Sequence, residues 1–273
     1  AAPADKQMGA FGQVESVWPL FGTLLVSDGY VYCTAGRNTN VNHGIYLYKL
    51  DIETGEPVKA TRHTSDTGHG ETENGANADI LVGDGTTMHV RGLAFDMETL
   101  TLSDSLSQPM PVAKGGFLDD TFFNGAVWGL NKFTANIIGL DYESAFGVRV
   151  YPGNHFKSAS HTNFRPGQNK IVLCGGTLKG QHKWTVPIPI LAKSLLVGES
   201  NIYLAGVRDI VDPDDPYAHY DGRRGAILAV YAKEDGTLKS QIELESPPVF
   251  DGFASAKHQI YISCQDGSVM CFK

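Results

Sequence analysis

One stretch of twelve residues, Gly44-Ile45-Tyr46-Leu47-Tyr48-Lys49-Leu50-Asp51-Ile52-Glu53-Thr54-Gly55, narrows what this chain can become. Alternate side chains of an extended segment point to opposite faces, so Ile45 and Leu47 share one face and Tyr46, Tyr48 and Leu50 the other. Apolar residues on both faces mark a strand covered on both sides. The Asp and Thr-Gly that follow are turn formers that stop it and reverse the chain. The unit recurs. Leu93-Ala94-Phe95-Asp96-Met97-Glu98-Thr99 repeats it with its Asp 45 residues on, and Ile138-Gly139-Leu140-Asp141-Tyr142-Glu143-Ser144 repeats it 45 further. Two more steps reach Tyr231, in Ile227-Leu228-Ala229-Val230-Tyr231 ahead of Glu234-Asp235-Gly236-Thr237.

Between these marks lie hairpin signals, a turn pair such as Asp-Gly flanked by β-branched and aromatic residues. Thr23–Val26, Asp28-Gly29 and Tyr30–Thr34 lead to the strand ending at Asp51; Asp79–Val82, Asp84-Gly85 and Thr87–Val90 lead to the one ending at Asp96. Thr121–Phe123, Asn124-Gly125 and Ala126–Leu130 lead to Asp141. A less regular fourth unit has Asn169–Cys174 and Lys183–Val186, a fifth Ser194–Val197, Ile202–Gly206 and Ile227–Tyr231, and a sixth Phe253–Ser255, Gln259–Cys264 and Ser268–Phe272. Repeats near 45 residues with three or four short strands each predict an all-β chain, a β-propeller of about six four-stranded blades. The blades should end near residues 51, 96, 141, 186, 231 and 272 of one domain, each covering its neighbour's apolar face.

Composition removes several functions. Net charge is −8 and the 22 basic residues are scattered, which disfavours a nucleic-acid backbone as partner. No apolar run approaches the roughly 18 residues of a membrane helix. The four cysteines, Cys33, Cys174, Cys264 and Cys271, form no CxxC, CxxCH or vicinal pair, which argues against zinc ribbons and covalent haem. A two-residue turn centred on Asp266-Gly267 would set Cys264 opposite Val269 and Ile262 opposite Cys271, leaving both cysteines as small apolar strand residues.

Several segments together resemble the pyrroloquinoline-quinone-like (quinoprotein-like) β-propeller repeats, of a planctomycete type. They are Val14–Pro19, Ala35-Gly36-Arg37, Gly44–Asp51, Asp79–Val82, Gly116–Asp120, Asp212–Pro216, Ser246–Gly252 and Asp266-Gly267, in that order. The resemblance implies a propeller from a long periplasmic or extracellular bacterial protein. In such proteins a His-Arg-containing aromatic segment follows the Asp-Asp; here Thr121–Trp128 keeps the Trp and lacks both. Further blades usually lie upstream, so the resemblance also implies the C-terminal part of a seven- or eight-bladed ring as an alternative to six closed blades. Related dehydrogenases bind the quinone PQQ and calcium, commonly beside a vicinal disulfide that this sequence lacks.

The expected ligand-binding residues flank apolar strands, where a propeller opens into its channel: Trp18, Arg37, Asp79, Arg91, Asp119, Asp120, Trp128, Arg208 and Asp251, with Asp209 beside Arg208. Both charge signs occur, so mutual pairing competes with ligand capture. His63, Asp66, His69 and Glu71 form the densest set of potential zinc ligands, within a Gly/Ser/Thr-rich loop. Asp212-Pro213-Asp214-Asp215-Pro216 clusters oxygens of the kind calcium takes, without EF-hand spacing, and reads better as a stiff acidic loop. No Ser/His/Asp order or phosphate loop stands out. The sequence therefore leans away from an enzyme and toward an exported binding scaffold, whose partner is another protein or further blades of its own polypeptide. The alternative is a quinoprotein-like oxidoreductase or metal-dependent module.

Overall fold

A computed structural model of the chain describes residues 3–10, 12–41, 43–65, 80–91, 93–103, 110–115, 127–150, 167–168 and 170–273. All regular structure among them is β, with no helix. The chain divides into two compact units, Ala1–Asp120 and Thr121–Lys273.

The first unit begins with a hairpin of β1 (Gln7–Ala10) and β2 (Gln13–Ser16). A four-stranded antiparallel meander follows, β3 (Leu25–Ser27), β4 (Tyr30–Ala35), β5 (Ile45–Asp51) and β6 (Pro57–His63). Next comes a three-stranded one, β7 (Leu81–Gly83), β8 (Thr87–Val90) and β9 (Leu93–Asp96), and then β10 (Val112–Gly115). The repeated strand behaves as its pattern requires. One face of β5, with Ile45 and Leu47, packs on Leu81, Met88, Val90 and Phe95 of the next sheet. The other, with Tyr48 and partly Tyr46 and Leu50, packs on Val17 and Trp18. The sequence pattern did not single out Lys49, which is 5% exposed on the Ile45/Leu47 face. Its Nζ lies 2.5 Å from Glu98 Oε2 and 4.2 Å from the centre of the Tyr30 ring.

The second unit opens with the hairpin β11 (Val127–Leu130) and β12 (Phe133–Ala135). Two four-stranded meanders follow: β13 (Ile137–Leu140), β14 (Ser144–Arg149), β15 (Val172–Thr177) and β16 (His182–Pro187), then β17 (Ile190–Val197), β18 (Asn201–Arg208), β19 (Ala226–Ala232) and β20 (Leu238–Leu244). The last sheet has three strands among the described residues, β21 (Pro248–Ala256), β22 (Gln259–Cys264) and β23 (Val269–Phe272). Apolar faces join neighbours: Phe146, Val148 and Leu173 meet Leu195, Ile202 and Leu204, while Ala205, Leu228 and Leu244 meet Ile262 and Cys264.

Two sequence expectations need correction. Asp51 and Asp96 end third strands, Tyr231 lies in one and Val186 lies in a final strand, β16, but Asp141 follows β13, a first strand. The reason is local. Asp51 Oδ1 accepts from the N–H groups of Glu53 (3.1 Å) and Thr54 (2.8 Å) and from Thr54 Oγ1 (2.9 Å). Asp96 repeats this with Glu98 and Thr99, and Asp141 with the N–H groups of Glu143 (2.9 Å) and Ser144 (2.6 Å). The recurring Asp thus marks a side-chain-capped turn, which ends any strand whatever its place in a sheet. The expected third unit accordingly breaks at buried Asn136, whose side-chain oxygen takes the Val150 N–H (2.9 Å) as the chain leaves β12 for β13. The second correction is one of register. Ser263 lies opposite Val269 and Tyr261 opposite Cys271, because Cys264 N–H bonds to Ser268 O and lengthens the Asp-Gly turn. All four cysteines are free thiols; Cys33, Cys174 and Cys264 are buried and Cys271 is exposed.

One polar link ties the last two sheets together. Ser194, fully buried at a bulge of β17, donates its hydroxyl to Val249 O (3.1 Å) and accepts the Gly252 N–H (2.7 Å). Ser194→Ala should therefore leave that N–H unsatisfied and cost about 1–3 kcal/mol in denaturant unfolding. A loss below about 0.5 kcal/mol would show that the link is dispensable.

Candidate functional site

Within each unit, arginines stand where second strands hand over to third strands. Arg37 stands two residues past β4, Arg91 in the β8–β9 turn, and Arg208 at the end of β18. The structure adds Arg149, the last residue of β14, to this set. Its sequence signal was available: it follows an apolar run, Ala145–Val148, as Arg208 follows Ile202–Val207.

Partners already hold several of these groups. Arg37 Nη2 lies 2.5 Å from Glu15 Oε1, and its guanidinium stands 5.2 Å from the centre of the Phe21 ring. Arg208 pairs with Glu243 of β20. Asp209 Oδ1 accepts from Tyr220 Oη (2.6 Å) and from the Gly167 N–H (3.1 Å). The acidic segment Asp212–Pro216 is neutralised from within its own loop: Arg224 Nη2 lies 2.9 Å from Asp212, and Arg223 binds Asp215 and, at 2.9 Å, Asp221. The Asp214 N–H and then Arg224 hold the Asp212 carboxyl below its usual range, and Arg223 does the same for Asp215. Such exposed pairs stiffen a loop more than they stabilise a fold.

The remaining expected residues are dispersed. Trp18 is buried, with its ring edge-on to Tyr46 at 5.7 Å. Trp128 is half-buried on β11 opposite Ala135. Asp251 is exposed, at φ +54° in a stretch of β21 where the register shifts. Asp79, Asp119 and Asp120 lie outside the described residues. Of the expected metal set, His63 ends β6 with its ring 5.4 Å from Phe95, and burial lowers its pKa. Asp66, His69 and Glu71 lie outside the described residues. Among the described residues no three His, Cys, Asp or Glu side chains gather as a metal site would need.

A bound quinone is a flat ring system that needs aromatic faces to stack on. Two of the three Trp offer no such face. Trp18 is part of the first unit's core. Trp184 of β16 is wedged between two glycines: a Cβ on Gly175 would lie 2.4 Å from its ring, and one on Gly236 2.6 Å.

Sequence reasoning missed the pair formed by Lys233 and Asp141, which joins the β13–β16 sheet to the β17–β20 sheet. Lys233 Nζ also donates to Glu199 O (3.1 Å) and lies 5.8 Å from the centre of the Phe146 ring. Burial acts to raise the Asp141 pKa, yet Lys233 and the turn N–H groups outweigh it and hold the carboxyl low.

No family model and no curated protein matches this chain. Among solved structures it is similar to BamB from Moraxella catarrhalis at 12% identity and a TM-score of 0.48, over 95% of this chain and 71% of that one. It is similar to the dihydro-heme d1 dehydrogenase NirN in complex with DHE at 12% identity and a TM-score of 0.42, over 92% of this chain and 54% of that one. For the quinohemoprotein alcohol dehydrogenase of Comamonas testosteroni the identity is 10% and the TM-score 0.38, over 94% of this chain and 42% of that one. This chain thus spans about half or less of either dehydrogenase's length. The planctomycete-type resemblance finds no support among these structures.

Proposed function

We propose that this chain is a non-catalytic β-propeller, an exported scaffold whose loop-bearing sheet ends bind another protein. The observation that carries this reading is the use made of the charged side chains at the strand ends. Arg37, Arg208, Asp209, Asp212, Asp215 and Asp221 are engaged by neighbours that fix loop shape. A rigid surface of that kind suits recognition, whereas catalysis needs a group whose charge or proton is available to a substrate. Export follows from the resemblance of the repeats. In the propeller reading, each sheet covers its neighbour's apolar face around an axis, as β13–β16, β17–β20 and β21–β23 do in sequence.

Optical spectra and metal analysis of purified protein test the non-catalytic part. The expected result is protein absorbance alone and metal well below one equivalent. A quinone band, or a stoichiometric transition metal or calcium, would sink it in favour of a quinoprotein-like or metal-dependent module. Projection images of single particles test the architecture: radial sheets about an axis are expected, and an open stack would contradict it.

A further inference from the structure

The cleft between the β13–β16 and β17–β20 sheets already holds one cation of the chain's own. Lys233 Nζ is fixed there by the Asp141 carboxylate, by Glu199 O (3.1 Å) and Gly198 O (3.4 Å), and over the Phe146 ring at 5.8 Å. A carboxylate, carbonyl oxygens and an aromatic face together replace the water that an ammonium or guanidinium group gives up. Asp141 neutralises Lys233, so the pair adds no net charge to its surroundings.

Beside this pair lies a groove of about 970 Å³, lined by the β13–β14 turn, the β17–β18 turn and Lys233 itself. Its three carboxylates, Asp141, Glu143 and Glu199, outnumber its one cation by two. Among the described residues no cation pairs with the Glu143 or Glu199 carboxylate, and both residues are exposed. Tyr142 is wholly exposed, whereas Met97, which likewise follows a capping Asp, is buried. A ring left entirely in water adds nothing to the core, so packing does not account for it. Leu140, 37% exposed, and half-buried Val197 give the groove an apolar wall.

The groove is also set in advance. Asp141 accepts the N–H groups of Glu143 (2.9 Å) and Ser144 (2.6 Å), which fixes the turn that carries Tyr142 and Glu143. Little ordering then remains to oppose binding. The mixture of groups selects an organic cation over a metal ion. Calcium takes six to eight oxygens, while a ring and two aliphatic side chains suit a carbon-bearing ligand. Between the two basic side chains, a guanidinium is the better match, because it is planar, weakly hydrated and able to stack on a ring while its edge meets carboxylates.

We infer that this groove receives an arginine side chain of a partner protein. The guanidinium lies on Tyr142 and donates to Glu143 and Glu199, and its methylene stem runs along Leu140 and Val197. The inference rests on the scaffold reading and gives it a docking point at the β13–β14 and β17–β18 turns.

The test uses the whole chain labelled with nitrogen-15 and a capped peptide with a central Leu-Arg-Leu between Gly-Ser flanks. Saturable amide shifts are expected at Leu140–Ser144 and Val197–Glu199, and none when citrulline, uncharged but of the same shape, replaces the arginine. Tyr142→Ser should weaken binding roughly fivefold. Glu143→Gln with Glu199→Gln should weaken it by more than about tenfold. All three side chains are exposed, and Glu199→Gln keeps the carbonyl that holds Lys233, so the melting temperature should stay at the parent's. Absence of saturable shifts, an equal response to the citrulline peptide, or indifference to the double variant would overturn the site. Free arginine amide binding as tightly as the peptide would overturn the protein partner. Quinone absorbance and metal content are read independently, so the docking point can fail while the scaffold reading stands.

Discussion

Trp184→Ala should cost the second unit about 3 kcal/mol, the low end for removing a large aromatic side chain because the indole is only half-buried. The ring fills the slot left by Gly175 of its own sheet and Gly236 of the next, and lies 6.1 Å from the Phe146 ring. Removing it leaves a gap that two glycines and their strands cannot close. Gly175→Leu attacks the same contact from the other side, since its Cβ would meet the ring at 2.4 Å, and should be at least as damaging. Denaturant unfolding followed by far-ultraviolet circular dichroism measures both. A loss below about 1 kcal/mol for Trp184→Ala would show that the slot contributes little.

Lys49→Glu should destabilise the first unit by about 3 kcal/mol, because it puts an unpaired charge at a buried position while Glu98 itself stays open to solvent. It would set a carboxylate against Glu98, under the Tyr30 ring, at a position almost closed to water. Lys49→Met keeps the volume and removes the charge, and should unfold within about 1.5 kcal/mol of the parent. The pH dependence has a definite sign. The hydrogen bond to Glu98 is the largest influence on Lys49 and raises its pKa above the ordinary lysine value, against the lowering effect of burial. This contribution is therefore fully present below the unfolded-state pKa near 10.4 and fades as pH rises through the folded value. Lys49→Met should lose that alkaline step. If Met and Glu variants unfolded alike, the charge would not be what matters at this position.

Much of the architecture was legible because the physics that encodes it is local. Ile45–Leu50 declared a strand covered on both faces, and its two faces do pack on different neighbours. The strands and most hairpins fall where alternation and turn residues put them. What misled was the assumption that a repeated turn implies a repeated place in the sheet. Asp51, Asp96 and Asp141 accept the same pair of backbone N–H groups, yet Asp141 follows a first strand. A turn is written in four residues, while sheet order depends on partners far along the chain.

The charged positions were less legible for the same reason. Arg37 and Arg208 were found from their place beside apolar strands, but Glu15 and Glu243, which occupy them, lie 22 and 35 residues away. Lys49 hid inside an apolar run because its partner, Glu98, belongs to the next sheet. The role of Ser194 depended on the backbone of Val249 and Gly252, which no side-chain pattern reports.

The indole between Gly175 and Gly236 carries one more implication. Oily surfaces alone are promiscuous, and a shuffled gene could stack these modules in several orders. A bulky plug on one module and a matching notch on its successor discriminate between orders, in the way a key's profile admits it to one lock. Transposing the segments that bear Trp184 and Gly236 should therefore yield chains that collapse without settling, however well their hydrophobic content is preserved.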